Sequence, residues 1–338
     1  MKRVLVVRLR SIGDTVLATP SLIALRRFLP DAQIDVLLED WVAPVLEGFR
    51  EVDNVLTVSR KSKKSRFETA RLVRRNAYDV AFNLHGGTTA TFFVRVSGAR
   101  HRVGFAHYSY KFLYNHLLSS SVDFWQRKIL HSAEQQLALL GFVGVPVEDC
   151  PKSRLDVTKE RADEMDLFLH VYGIDELPIA LIHPAAAFDT KQWSTEKFAK
   201  IIDYFDARGI FPVVVATPKE QKVIDEISRK TSAIFHGFTD LELPQITALA
   251  ARAGVFVGND SGIAHIAAAV GTPSVVVFGS SNRNHWRPWT DAPNEIVYEK
   301  FACQPCAGYF CKEFDAPQCI LSVKTESVIA AIEKVLIK

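Results

Sequence analysis

Nowhere in the 338 residues does an apolar run approach the roughly 20 needed to cross a bilayer. The opening Met1-Lys2-Arg3 runs straight into a short strand rather than a signal peptide, so the chain is expected to stay in the cytoplasm. Two nucleotide fingerprints are missing as well. Without G-x-G-x-x-G after the first strand a dinucleotide oxidoreductase loses ground, and without G-K-[ST] so does an ordinary NTPase. No Asp-x-Asp pair stands where a metal-bridged diphosphate would need one, which points away from metal-dependent phosphate chemistry. Cysteine is sparse and lopsided: of five, only Cys150 precedes Cys303, Cys306, Cys311 and Cys319. In a reducing compartment the spacing C-x2-C-x4-C-x7-C is not a disulfide framework by default. Four thiolates there could hold a structural zinc, although the second pair lacks the tight C-x2-C knuckle of a zinc ribbon.

What is present suits two domains of roughly 150 residues each. Hydrophobic residues make up 48% of the chain and charged ones 23%, enough to bury two cores. Apolar strand-like runs at 4–7, 34–38, 55–58, 80–84 and 102–104 alternate with helical stretches at 16–29, 67–76 and 89–96. Near 145–156 Pro146, Asp149 and Pro151 break this rhythm. A second series follows, with strands at 179–183, 211–216, 233–236, 255–258 and 274–278 and a closing amphipathic helix at 321–336. This βα alternation predicts an α/β chain of two Rossmann-like, doubly wound domains, 1–155 and 156–338, with ligands at the carboxyl ends of their strands in a cleft.

Three polar turns fall at those strand ends. In residues 254–279 a buried-type strand meets Asn259-Asp260-Ser261-Gly262, then a helix over 263–270 that stops at Gly271-Thr272-Pro273. Unpaired N–H groups and the helix dipole at Ser261 and Gly262 suit a phosphate or diphosphate, with His265 on the first turn. After the strand at 179–183, Lys191 is a point charge able to reach a phosphate oxygen, and Trp193 pins its loop. After the strand at 211–216, Glu220 is placed to accept from ribose hydroxyls or simply to favour its helix start. The first strand leads into Arg10–Thr15, which sets the carboxylate of Asp14 at a helix start, as an N-cap or a cleft group.

Charge is nearly balanced overall, at +3, but residues 1–150 hold 21 Lys+Arg against 14 Asp+Glu. The densest stretch contains Arg60, Lys61, Lys63, Lys64, Arg66, Arg71, Arg74 and Arg75 against a single Glu68. It reads as a solvated helix face or a landing site for an anionic substrate or acidic membrane surface. Aromatic residues are not interleaved with these charges, so nucleic acid is not the expected partner.

Together these residues resemble one family, the bacterial heptosyltransferases of lipopolysaccharide inner-core assembly, inverting glycosyltransferases of the two-Rossmann GT-B fold. The resemblance spans nearly the whole chain. It is carried by Leu9-Arg10-Ser11-Ile12-Gly13-Asp14 with Thr19-Pro20 and Leu25, and by Lys191-Gln192-Trp193. Gly258–Gly262 with His265 and Gly271-Thr272-Pro273, and Cys303-Gln304-Pro305-Cys306, complete it. The Leu-Arg opening, the 285–289 stretch His-Trp-Arg-Pro-Trp and the cysteines look most like the branch adding a later, side-branch heptose. Ala186 and Ala187 depart from the pattern, standing where family members carry hydroxyls.

The resemblance implies an ADP-heptose donor, an anionic acceptor built on lipid A, and work at the cytoplasmic face of the inner membrane by peripheral contact. It makes Asp14 the general base and Lys191 the group neutralising the leaving diphosphate. Ser11, Gly13 and Thr15 would shape the diphosphate pocket, Glu220 would hold the ribose and Leu241 would line the adenine. Asp260, Ser261, Gly262 and His265 would bind sugar and diphosphate, and Arg60, Lys61, Lys63 and Lys64 are candidates for the acceptor. No cofactor and no catalytic metal is expected. The rival readings are a transferase of the same fold using another nucleotide sugar, a nucleotide-sugar epimerase or hydrolase, and a non-catalytic nucleotide-sugar-binding protein.

Overall fold

The computed structural model describes residues 2–306 and 308–337. It divides into two compact units, the first ending at Asp156 and the second beginning at Val157. Each is a six-stranded, wholly parallel sheet with helices.

In the first unit the strands are β1 (Arg3–Leu9), β2 (Gln33–Glu39), β3 (Asn54–Val58), β4 (Val80–Asn83), β5 (His101–Phe105) and β6 (His116–Leu118), in the order β3-β2-β1-β4-β5-β6. After its first residue β1 is buried throughout, which is why it reads as an unbroken apolar run. Leu5 and Val7 pack with Val73 of helix Lys63–Arg75 and Phe93 of helix Thr88–Val96 in one core. Strand order reverses between β1 and β4, where Val7 pairs with Asn83. The crevice outside these two strand ends is the ligand position of such sheets.

The second unit repeats the plan with β7 (Ile179–His183), β8 (Phe211–Val215), β9 (His236–Phe238), β10 (Val255–Asn259), β11 (Ser274–Phe278) and β12 (Asn294–Tyr298), ordered β12-β11-β10-β7-β8-β9. Its reversal lies between β7 and β10, where His183 pairs with Gly258. A Cβ at Gly258 would stand 2.9 Å from the His183 carbonyl oxygen, so only glycine lets the two strand ends approach this closely. Trp193, fully buried, anchors the core with Phe198, Val257, Val277 and Ile332. Its indole N–H donates to the Val323 carbonyl.

Three expected elements differ. The helix expected over 16–29 is two, Ile12–Val16 and Thr19–Phe28, because Pro20 can sit only in the first turn of a helix and so starts a new one. The closing helix expected over 321–336 begins at Thr325 and runs to Leu336, with a separate short helix, Gln318–Leu321, ahead of it. The strand expected over 233–236 lies at His236–Phe238, where it pairs with Val213–Val215.

Candidate active site

At the β1 end of the first unit, Asp14 sits in the first turn of helix Ile12–Val16 with its side chain 24% exposed. Arg8 and Asp14 form an ion pair. The other carboxylate oxygen of Asp14 accepts from the Ser11 N–H at 3.2 Å and the Ser11 hydroxyl at 2.9 Å. Arg8 is buried, and its guanidinium also donates to Nδ1 of His85, at 3.1 Å, just past β4. A guanidinium only donates, so His85 accepts through Nδ1 and carries its proton on Nε2. Burial, then the charges of Arg8 and Arg10, hold that imidazole below its ordinary pKa. Asn83 fixes the turn by accepting from the His85 and Gly86 N–H groups at 3.0 and 2.8 Å. The first-unit crevice therefore brings together the Asp14 carboxylate, the Arg8 guanidinium and the His85 imidazole. Gly13 and Thr15 are buried beneath it, Thr15 to 1% exposure, so neither offers a side chain to a ligand as the chain lies.

At the second reversal, Lys191 ends a short 3-10 turn, Asp189–Lys191, and its Nζ lies 2.7 Å from Oδ2 of Asp260. The Ser281 hydroxyl donates to the same oxygen at 2.5 Å. Both Asp260 and Ser281 are buried, and Asp260 directly precedes the Ser261 N-cap of helix Gly262–Ala269. The loop carrying Lys191 is braced from two sides. Gln192 donates to the Pro184 carbonyl at 2.6 Å and accepts from the Ala186 N–H at 2.9 Å. Asn259 donates to the same Pro184 carbonyl at 2.8 Å and accepts from the Trp193 N–H at 3.2 Å. An ammonium, a buried carboxylate and a helix start with unused N–H groups thus share one point. An arrangement of this kind is chemically suited to a diphosphate and to negative charge developing on it.

Behind it, the Ser261 hydroxyl is 3.1 Å from Nδ1 of His183. Burial pushes the His183 pKa down from 6.5 to about 4, so the imidazole is neutral near pH 7. The unfolded chain takes up this proton first as pH falls. The resulting stability is complete above about pH 6.5 and is lost progressively toward pH 4, at most about 3 kcal/mol. We expect urea midpoints to fall between pH 7 and pH 4.5 in the native chain and to fall less in His183→Gln. Equal losses in the two proteins would contradict this assignment.

The remaining expected residues are more dispersed. His265 is buried within helix Gly262–Ala269. Glu220 closes a local turn by accepting from the Thr217 N–H and hydroxyl, both at 2.8 Å, the helix-start alternative of its sequence reading. Leu241 is half-buried ahead of helix Leu243–Arg252. Arg60, Lys61, Lys63 and Lys64 are exposed at the start of helix Lys63–Arg75. Arg8, His85 and Ser281 were not anticipated. The signals were the polar turns His85-Gly86-Gly87 and Gly279-Ser280-Ser281 directly after apolar strands. Among the described residues no group of three His, Cys, Asp or Glu side chains is arranged to hold a metal, and no helix is long and apolar enough to cross a membrane.

Comparison with known proteins gives the family and the fold. The chain is 29% identical to lipopolysaccharide heptosyltransferase 3 of Escherichia coli K12, over 96% of this chain and 95% of that protein. A glycosyl transferase family 9 structure from Veillonella parvula superposes with a TM-score of 0.86 at 21% identity, covering 99% of this chain and 97% of the other. The E. coli ADP-heptose LPS heptosyltransferase II structure superposes with a TM-score of 0.82 at 20% identity, covering 100% and 99%. The sequence pattern of glycosyltransferase family 9 (heptosyltransferase) matches residues 66–316, which include Lys191 and Asp260 and begin after Asp14. The chain belongs to glycosyltransferase family 9, the heptosyltransferases.

Proposed function

We propose that the chain moves a heptose from ADP-heptose to the lipopolysaccharide core on a lipid A-based acceptor, by single displacement with inversion and without a catalytic metal. The observation that carries the reading is the Lys191–Asp260–Ser281 cluster at the start of helix Gly262–Ala269. The names of the two E. coli relatives support the sugar and the core. In this mechanism Asp14 accepts the proton of the acceptor hydroxyl as its oxygen bonds to the anomeric carbon. The bond from that carbon to the diphosphate oxygen breaks on the opposite face, and ADP leaves. Lys191 and the first N–H groups of helix Gly262–Ala269 take up the charge appearing on the diphosphate, the task a divalent cation performs elsewhere. Asp260, held by Ser281, aims the ammonium and is free to accept from a sugar hydroxyl once Lys191 turns to the phosphate. The exposed Arg60, Lys61, Lys63 and Lys64 attract the anionic acceptor at the cytoplasmic membrane surface.

The test is product formation from ADP-heptose and a truncated lipid A core acceptor. One ADP per glycosylated acceptor is expected, at a rate unchanged within about twofold by brief EDTA treatment. Strict dependence on Mg²⁺ would overturn the metal-free step. Donor turnover without acceptor would mark a hydrolase or epimerase, and donor binding without chemistry a binding protein. A chain that ignores ADP-heptose uses another nucleotide sugar.

A further inference from the structure

Arg8 is a buried charge on β1 to which the transfer mechanism gives no task. Its guanidinium divides its three nitrogens among three groups. Nε donates to the main-chain carbonyl of Asp14 at 3.2 Å, one terminal nitrogen donates to Nδ1 of His85 at 3.1 Å, and the other pairs with Oδ1 of the Asp14 carboxylate. Oδ2 of that carboxylate accepts from the Ser11 N–H and hydroxyl. An ionised carboxylate offers about four lone-pair sites, and Arg8 with the two Ser11 donors fills three of them. One site is left, on a side chain still 24% exposed. A base needs that site for the proton of the acceptor hydroxyl.

Guanidinium and carboxylate frequently close into a two-bonded fork, both terminal nitrogens meeting both oxygens. A fork between Arg8 and Asp14 would fill the last site. His85 opposes it by occupying one of the terminal nitrogens. The imidazole is itself fixed from several sides. Its ring also hydrogen-bonds the main chain of Arg10, a bond that favours the charged form and so is donated by the ring. With Nδ1 accepting from Arg8, the donor is the Nε2–H and the acceptor the Arg10 carbonyl. Asn83, which accepts from the His85 N–H, donates its own amide to the Tyr114 hydroxyl at 2.6 Å. Gly86 has a φ of +86°, and a Cβ there would stand 2.8 Å from the Tyr108 ring, so the turn after His85 keeps this shape only with glycine. Protonation of Nδ1 would remove the acceptor that Arg8 uses. Burial first, then the charges of Arg8 and Arg10, oppose that protonation, and Asp14 favours it. We propose that His85 is a positioning residue that holds Arg8 to a single oxygen of Asp14 and so keeps one lone pair of the carboxylate open to the acceptor hydroxyl. The inference rests on the reading of Asp14 as the base and assigns the group that keeps it usable.

The experiment is the steady-state rate of transfer from ADP-heptose to the truncated lipid A core acceptor, with a urea midpoint for every protein. His85→Leu frees a terminal nitrogen of Arg8 to close the fork. Its kcat is expected to fall about 10–10²-fold while KM for ADP-heptose stays within about twofold of native. His85→Asn, whose amide oxygen reaches the place of Nδ1, should recover most of that loss. The loss should also depend on Arg8. A lysine at that position has one ammonium in place of three nitrogens and cannot form the fork, so adding His85→Leu to Arg8→Lys should change kcat by less than about twofold. A merely structural role gives the same loss in both backgrounds, following the urea midpoint, and that pattern overturns the proposal. So does a kcat within about threefold of native in His85→Leu, or an Asn variant as slow as the Leu variant. Should His85→Leu fail to fold, His85→Gln replaces it, since its amide reaches the place of Nε2 and leaves that of Nδ1 empty. Native chain and Asp14→Asn are measured alongside. If the native chain transfers nothing, or the two are equally fast, the reading of Asp14 falls and this inference with it. A slow Asp14→Asn beside a fast His85→Leu removes the inference alone.

Discussion

Asp14→Asn is expected to lower kcat for heptose transfer by about 10²–10⁴-fold while leaving ADP-heptose affinity nearly unchanged. The substitution keeps the size of the side chain and one carbonyl-type oxygen, so the bonds from the Ser11 N–H and hydroxyl persist. What it removes is the negative charge and the capacity to take a proton. It also leaves the buried guanidinium of Arg8 without its counter-ion, and a broken ion pair of this kind costs about 3 kcal/mol or more. Loss of rate alone therefore does not identify a base. The separating variant is Arg8→Met/Asp14→Asn, which removes both charges. If Asp14 serves only to neutralise Arg8, the double variant recovers both stability and rate. If Asp14 takes the proton, stability recovers and kcat stays low. The measurements are kcat in the acceptor assay, ADP-heptose binding by calorimetry and the urea midpoint for each protein. A kcat within about threefold of native in Asp14→Asn would end the case for this base.

The sheets were legible because parallel strands are buried on both faces and so read as unbroken apolar runs: 179–183 and 274–278 match β7 and β11 residue for residue. Two of the four edge strands were not. β6 is only three residues long, and β12, Asn294-Glu295-Ile296-Val297-Tyr298, mixes polar and apolar residues because it is only half-buried. The second-unit site was legible in part because a polar run between a strand and a helix has few structural explanations. Lys191 and Asp260 stood out in this way, and the structure brings them to 2.7 Å. Ser281 did not, because its partner is 21 positions away and only the β10–β11 pairing brings them together. Arg8 was hidden by its position between the apolar residues of β1. Its partner His85 lies 77 positions away, and the contact exists because β4 pairs with β1 rather than with β3. Thr15, expected to shape the diphosphate pocket, is turned inward by helix Ile12–Val16. Proximity in a motif does not fix which face a side chain takes.

Lys191→Ala is expected to reduce kcat/KM for the donor by about 10²–10³-fold, the range found when one preorganised donor to a developing negative charge is removed. Lys191→Arg, which restores the charge in a different shape, should recover only part of this. The structure supplies a rival explanation that must be separated from the chemistry. Asp260 is 5% exposed, and without Lys191 its carboxylate keeps the Ser281 hydroxyl but no cation. An unpaired buried charge of this kind costs about 3–5 kcal/mol, enough to distort the start of helix Gly262–Ala269 and slow transfer indirectly. Lys191→Met/Asp260→Asn removes both charges, leaves a neutral amide for Ser281 and so relieves that penalty. Were the ion pair purely structural, this double variant would transfer at nearly the native rate. With Lys191 acting on the leaving group, it regains the native urea midpoint but remains about 10²-fold slow. Its defect should shrink for a donor whose leaving group carries less negative charge in the transition state. That second dependence tells a leaving-group cation from a group that merely shapes the pocket, because a shape defect would slow both donors alike.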